Sequence, residues 1–254
     1  MKAVMIGAGN VATNLVRALA AAGVEVVQVY SRTLPHAREL AATVGACASD
    51  SLDGVVRDAD IYIISVSDDA IAGVVEAVPD NGAVWVHTSG STSVTVFAGR
   101  RERYGVFYPM QSFSKQIAAD FADVPFFIEA ESEATAVMVE GLARQLSRRV
   151  FRATSDQRRR LHIAAVFACN FANHMWTLAG DVLGEAGLPF DVMLPLISTT
   201  VDKLKLLPPA ESQTGPAVRH DVNVMHSHIA MLDEEKAAIY KILSDSIIKR
   251  HEQN

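Results

Sequence analysis

The segment Ala3-Val4-Met5-Ile6-Gly7-Ala8-Gly9-Asn10-Val11-Ala12 decides how this chain is read. Residues 3–6 are a short apolar run of strand type, and residues 12–22 are an alanine-rich stretch of helical type. Between them stands Gly-x-Gly-x-x-Ala. In such a turn the first glycine permits a tight bend and the second lets backbone approach a pyrophosphate. The small third residue lets the helix pack on the strand, and the helix N-terminus attracts phosphate charge. The motif alone is weak. Here it follows a strand, opens a helix, and is succeeded by a second strand ending at Tyr30, which is the context a dinucleotide-binding turn requires. Gly7, Gly9, Asn10, Val11 and Ala12 are therefore candidate cofactor contacts.

Outward from this turn, short apolar runs alternate with helical stretches. Strands are predicted over 25–30, 46–48, 61–66, 84–87, 106–108, 126–128 and 150–152, and helices over 35–44, 70–77 and 134–146. That alternation implies βαβ units, right-handed crossovers and a doubly wound parallel sheet. After Ser155 the strand signals cease. One long helix is expected over 156–185, with Ser155 as N-cap and Gly187-Leu188-Pro189 as its stop. Further helices are expected over 190–205, 223–232 and 234–250. The chain thus divides into an α/β Rossmann domain, 1–152, and an all-α domain, 153–254.

The end of the second strand bears on cofactor choice. An Asp or Glu there grips a ribose 2′-hydroxyl, but this chain has Ser31-Arg32-Thr33. Arg32 attracts a 2′-phosphate, and Ser31 and Thr33 donate hydrogen bonds, which points to NADP(H) rather than NAD(H). In an open parallel sheet, ligands sit beyond the carboxyl ends of the strands. Val66, Ser67 and Asp68 follow one such end and flank the cofactor, although Ser67 or Asp68 serves equally as a helix cap. His87 and Ser89-Gly90-Ser91 follow another, as candidate substrate contacts. His87 reads either as a general acid or as a structural hydrogen-bonding residue. The segment 107–113 can close the same pocket. On the long helix, His162, Val166, Cys169 or Asn170, and Asn173 share a stripe. In the functional reading His162 donates a proton and Asn170 and Asn173 orient substrate; in the alternative the stripe is core or dimer interface, with Cys169 a buried filler. Arg219, beside Gly215-Pro216 and Asp221, either binds an anion or ties down its turn.

Composition excludes several classes. Half of the residues are hydrophobic and a fifth charged, enough for a packed core, and the net charge of −6 leaves no footprint for nucleic acid. Two short basic runs, around Arg100-Arg101 and Arg158-Arg159-Arg160, read as solvated faces or turns. No apolar stretch reaches the ~18 residues of a membrane span, and the apolar start is broken too early for a leader. Cys47 and Cys169 suit neither a metal site nor a disulfide framework, and fit a reducing cytoplasm. No metal site is expected.

Taken together and in order, Gly7 to Ala12, Ser31-Arg32-Thr33, Ser65 to Ile71, His87 to Ser91, Tyr108 to Phe113, His162 to Asn173 and Thr214 to Asp221 resemble a largely uncharacterised family. Its members join a Rossmann-like NADP-binding domain to a helical domain of unknown function. The architecture is also similar to pyrroline-5-carboxylate reductase, deazaflavin-dependent NADP oxidoreductases and the β-hydroxyacid dehydrogenases. The resemblance implies a nicotinamide at the cleft between the domains and a homodimer through the helical one. The chain departs from the dehydrogenases in one respect: their helix carries a lysine with an asparagine four residues on, whereas this one has His162, then Val166 and Asn170. The neighbouring arginines do not donate protons at neutral pH, so a histidine or a water must. The expected activity is NADP(H)-dependent hydride transfer to or from a small imine or carbonyl. The alternative is an NADP(H)-binding sensor without turnover.

Overall fold

A computed structural model describes residues 1–252. The chain forms two compact units, Met1–Cys169 and Asn170–Asn254.

In the first unit, β1 (Lys2–Ile6), α1 (Asn10–Ala21), β2 (Glu25–Tyr30), α2 (Leu34–Ala42), β3 (Cys47–Ser49), β4 (Ile61–Ile64), α3 (Asp68–Ala77), β5 (Val84–His87) and β6 (Arg103–Pro109) build the expected alternation of strand and helix. There follow β7 (Phe126–Ala130), α4 (Glu133–Leu146), β8 (Val150–Arg152) and α5 (Ser155–Ala165). The strand order is β3-β2-β1-β4-β5-β6-β7-β8, whose first six positions are the Rossmann order. Alternate residues of each strand face opposite layers. Met5, Val29, Ile63 and Val86 join α1 and α4 in one core, while Val4, Ile6, Tyr62 and Trp85 join α3 and Phe97 in the other.

One expectation needs correction: the sheet is mixed, not wholly parallel. β7 pairs antiparallel with β6, and β8 runs parallel to β7. The cause is the connection 110–125, which contains no helix and brings Phe126 back opposite Pro109. Without a crossover helix the chain returns on the same edge in the opposite sense.

The basic runs differ from expectation in the same way as each other. Arg101 is buried, stacked 4.2 Å over Trp85, and donates to the Val75 and Val78 carbonyls at the end of α3. Arg158 is fully buried. Each run therefore contains one arginine that serves the interior.

The expected boundary at 152/153 matches the last strand, but the compact units part at Cys169 and Asn170. The first turns of α5 are held to the sheet by Arg158 and Ser155. The expected single helix is α5, then a π-helical stretch Val166–Phe171, then α6 (Ala172–Glu185). The π turn interrupts the spacing of three and four on which the His162–Asn173 stripe was drawn. The N-cap is Thr154 with Gln157 in a capping box, one residue before the expected Ser155.

The second unit contains α6, α7 (Leu194–Lys203), α8 (Val222–Ala230) and α9 (Glu234–Glu252). α8 and α9 are joined by His228 Nδ1 and the Tyr240 hydroxyl at 3.0 Å. Few of its side chains are buried: among the described residues its buried apolar set is Ala217, Met225 and Ala237. Among the described residues, no helix is long and apolar enough to cross a membrane.

Candidate functional site

A cleft of about 990 Å³ lies along the carboxyl ends of β1, β2, β4, β5 and β6, wholly within the first unit. Its lining gathers Gly7 to Val11, Ser31 to Thr33, Val66 to Asp68, Ser89, Gly90, Tyr108 and His162. Those segments lie far apart in sequence, and sheet order alone makes them neighbours.

The turn after β1 is shaped for a ligand. Gly7 has φ +130°, and a Cβ there would lie 2.0 Å from the Ser65 carbonyl oxygen; its N–H donates to Tyr30 O at 2.8 Å. So Gly7 is demanded by the protein's own backbone. Gly9 is different: a Cβ there would meet nothing within 4 Å. It stands at the N-cap of α1 with no side-chain cap, and the first helical bond is Thr13 N–H to Gly9 O. The N–H groups of Asn10 and Val11, which line the cleft, thus have no intrahelical partners. Ala12 is buried against the sheet rather than in the lining.

At the end of β2, Arg32 and Thr33 are exposed, and Thr33 at the N-cap of α2 makes no side-chain capping bond. Ser31 Oγ accepts Thr33 N–H at 3.3 Å. His36, in the first turn of α2, also lines the cleft, as does Lys115 from the 110–125 connection. Neither was singled out from sequence: Lys115 lies in a segment without periodicity, and His36 reads as an ordinary helix-surface residue. Ser67 occupies the N-cap of α3 without capping it, so its hydroxyl remains available to the cleft. Asp68 instead accepts a hydrogen bond from Ser91 Oγ, tying the loops after β4 and β5 together. The open glycine, the free helix end and the cationic rim fit a dinucleotide carrying a 2′-phosphate.

His87 does not face this cleft. It is fully buried and stacked on Phe97 at 5.7 Å, and its Nδ1 accepts Ser89 N–H at 3.1 Å. Burial, reinforced by the nearby Arg158 charge, pushes its pKa down to about 3. A ring that is neutral and sealed in this way shapes the loop and has no route to a substrate, so the expected general acid at His87 does not fit its placement.

A pair of titratable side chains does line the cleft. His162 Nδ1 and the Tyr108 hydroxyl are 3.3 Å apart at the cleft wall. Gly90 lies against both, since a Cβ there would be 2.7 Å from His162 Nδ1 and 2.9 Å from Tyr108 Cζ. Burial pushes the Tyr108 phenol above its ordinary value. Sequence placed Tyr108 only in a pocket-closing segment, because nothing local pairs it with a histidine 54 positions away.

The remaining expected site residues fall outside the cleft. Asn170 and Asn173 are exposed and belong to the second unit. Cys169 is exposed, not a buried filler. Arg219 pairs with Asp221 at 3.0 Å across its own turn, where His220 adopts φ 54°.

Comparisons with known proteins agree with this architecture. A family model described as a domain of unknown function (DUF2520) matches residues 124–247, and one described as NADP oxidoreductase, coenzyme F420-dependent, matches residues 2–89. The solved structure of a "putative NADP oxidoreductase" from Bacteroides fragilis is 48% identical, with 98% of each chain covered and a TM-score of 0.92. A reductive aminase from Aspergillus terreus, solved with NADPH and ethyl-5-oxohexanoate, is 16% identical, covers 98% of this chain and 94% of its own, and has a TM-score of 0.73. An imine reductase from Myxococcus stipitatus, solved with NADP+, is 18% identical, covers 100% of this chain and 93% of its own, and has a TM-score of 0.65. The last two are likenesses of fold. No curated protein matches the chain.

Proposed function

This chain belongs to the family that joins a Rossmann NADP-binding domain to this helical domain, the family of the Bacteroides fragilis protein, and from that premise we propose that it reduces a small imine or carbonyl compound. It is a Rossmann-fold NADP(H)-binding oxidoreductase. Gly9 and the α1 N-terminus hold the pyrophosphate, and Arg32, Ser31 and Thr33 hold the 2′-phosphate. When bound, the nicotinamide supplies the hydride.

The observation that carries the reading is the Tyr108–His162 contact in the wall of the same cleft. Tyr108 keeps its proton across the neutral range, because burial disfavours the phenolate. It would donate that proton to the nitrogen or oxygen of the substrate, and His162 would pass it a replacement drawn from solvent. Ser89 and Gly90 line the floor beside them. The competing reading, a cofactor-binding sensor without turnover, rests on the absence of a lysine from α5.

The test begins with calorimetric titration of NADPH and NADH, followed by NADPH oxidation against a panel of cyclic imines and small ketones. NADPH should bind more tightly than NADH. Arg32→Ala should weaken NADPH binding by roughly 10-fold or more and leave NADH nearly unchanged. On any substrate found, Tyr108→Phe and His162→Gln should each lower kcat by about 100-fold or more, as loss of a general acid does. Turnover indifferent to both substitutions would refute the proton assignment. Tight binding with no turnover of any compound would favour the sensor.

The apolar surface of the second unit supports a homodimer. Leu206 is 84%, Met231 79%, Ile242 68% and Leu196 63% exposed, beside a buried set too small to hold helices together alone. The free cysteines fit a cytoplasmic setting.

A further inference from the structure

Arg158 is the least expected residue of the first unit, a fully buried arginine one helical turn before His162 on α5. Residues four apart share a helix face, so whatever holds Arg158 also sets the heading of His162.

Arg158 is held from three directions. Its Nη1 meets Glu129 Oε2 of β7 at 2.5 Å. Its Nε donates to Ser89 O at 3.2 Å, and Nη2 donates to Thr92 O, both in the loop after β5. Nη2 also reaches Ser155 Oγ at 3.3 Å. Glu129 completes the knot: its two carboxylate oxygens accept Ser155 N–H at 2.9 Å and Ser155 Oγ–H at 2.7 Å. One guanidinium thus fastens sheet, loop and helix together. Between its two loop contacts lies Gly90, the residue pressed against both Tyr108 and His162.

A buried ion pair is a poor general device for stability, since desolvation offsets most of the attraction. Its advantage over a packed apolar pair is direction, because the planar fork of arginine fixes several acceptors at set angles. Here those acceptors are the loop and helix that carry the site.

We propose that Arg158, paired with Glu129, is the positioning residue of this site, locking the Ser89–Thr92 loop to α5 so that Tyr108 and His162 remain apposed beside Gly90. This rests on the reading of Tyr108 and His162 as the proton-delivering pair. Neither Arg158 nor Glu129 lines the cleft, so the cofactor grip at Gly9 and Arg32 is independent of them.

The experiment uses the full chain with NADPH as probe. Three variants are compared with wild type: Arg158→Lys, Glu129→Gln, and the double substitution Arg158→Met with Glu129→Met, which removes both charges together and so leaves no lone buried ion. In each folded variant, amide exchange over 89–92 should accelerate by about 10-fold or more. The His162 Nδ1 resonance should move toward its position in Tyr108→Phe, where the contact is absent. NADPH affinity should stay within about threefold of wild type. Once a substrate is in hand, kcat should fall by about 10-fold or more with KM little changed. If a folded double variant keeps both the slow exchange of 89–92 and the wild-type His162 resonance, the proposal is overturned. If Tyr108→Phe and His162→Gln spare turnover while the exchange and resonance still respond to Arg158, the proton assignment fails and the positioning role stands.

Discussion

A Cβ placed on Gly7 would lie 2.0 Å from the Ser65 carbonyl oxygen, whereas one on Gly9 would meet no atom within 4 Å. The two glycines of the motif therefore answer to different constraints, one to the fold and one, in the proposed reading, to the ligand. Gly7→Ala should lower the melting temperature sharply, being both strained at positive φ and overpacked. Gly9→Ala should melt within a degree or two of wild type yet lose NADPH binding. A Gly9→Ala protein with undiminished affinity would show that no pyrophosphate approaches there. His87 carries a prediction of a different kind. Its folded pKa of about 3 lies below the ordinary value of 6.5. Between those values the unfolded chain binds a proton that the folded chain refuses, so stability falls as pH drops through this window. The slope contributed is at most about 1.4 kcal/mol per pH unit. Urea midpoints measured from pH 7 to pH 4 should fall less steeply for His87→Gln, which retains an acceptor for Ser89 N–H. Equal slopes in the two proteins would mean that the buried ring is not their source.

At the scale of elements, the informative one is the connection 110–125, which replaces a crossover helix and reverses the sheet. It lacks regular structure and needs anchors. Asn14 of α1 supplies one: its amide donates to Ser114 O at 2.9 Å and accepts Ala119 N–H at 3.0 Å. Asn14 is buried, so truncation would leave two half-buried backbone groups without their partner. Asn14→Ala should destabilise by roughly 1–3 kcal/mol and raise amide exchange over 114–119. It should also weaken NADPH binding modestly, because Lys115 of the same segment lines the cleft. Unchanged exchange over 114–119 would show that other contacts hold the segment. α5 illustrates the complementary case. Its start is fixed locally by the Thr154–Gln157 capping box, but its heading is fixed by Arg158, a tertiary contact that no helical periodicity announces.

At the scale of the molecule, the two compact units bury apolar surface very unequally. The first has a two-sided core around its sheet, while the second leaves most of its apolar side chains in contact with solvent. Exposed apolar patches of this extent mark association surfaces. Sedimentation at micromolar concentration should give twice the chain mass of 27.4 kDa. Leu196→Glu and Leu206→Glu, at positions 63% and 84% exposed, should shift the protein toward monomer. A wild-type monomer at that concentration would remove the dimer from this account.

The sequence by itself determined the Rossmann half, because each of its signals is local. The glycine turn, the β-branched strand Ile61–Ile64 and the helix breaks at Pro79 and Gly82 act through neighbours within a few residues. The place of Ser31-Arg32-Thr33 beside the cleft was legible for the same reason, lying where a strand of known type ends. What the tertiary structure decided depends on contacts between distant segments. The reversed strands, the burial of Arg101 and Arg158, the withdrawal of His87 into the core and the meeting of Tyr108 with His162 are all of this kind. An arginine in a basic run looks solvated until a strand carboxylate and two loop carbonyls surround it. A histidine at a strand end looks reactive until an aromatic ring closes over it. Burial is a property of the assembled chain, and it decided which polar residues became structure and which were left to the site.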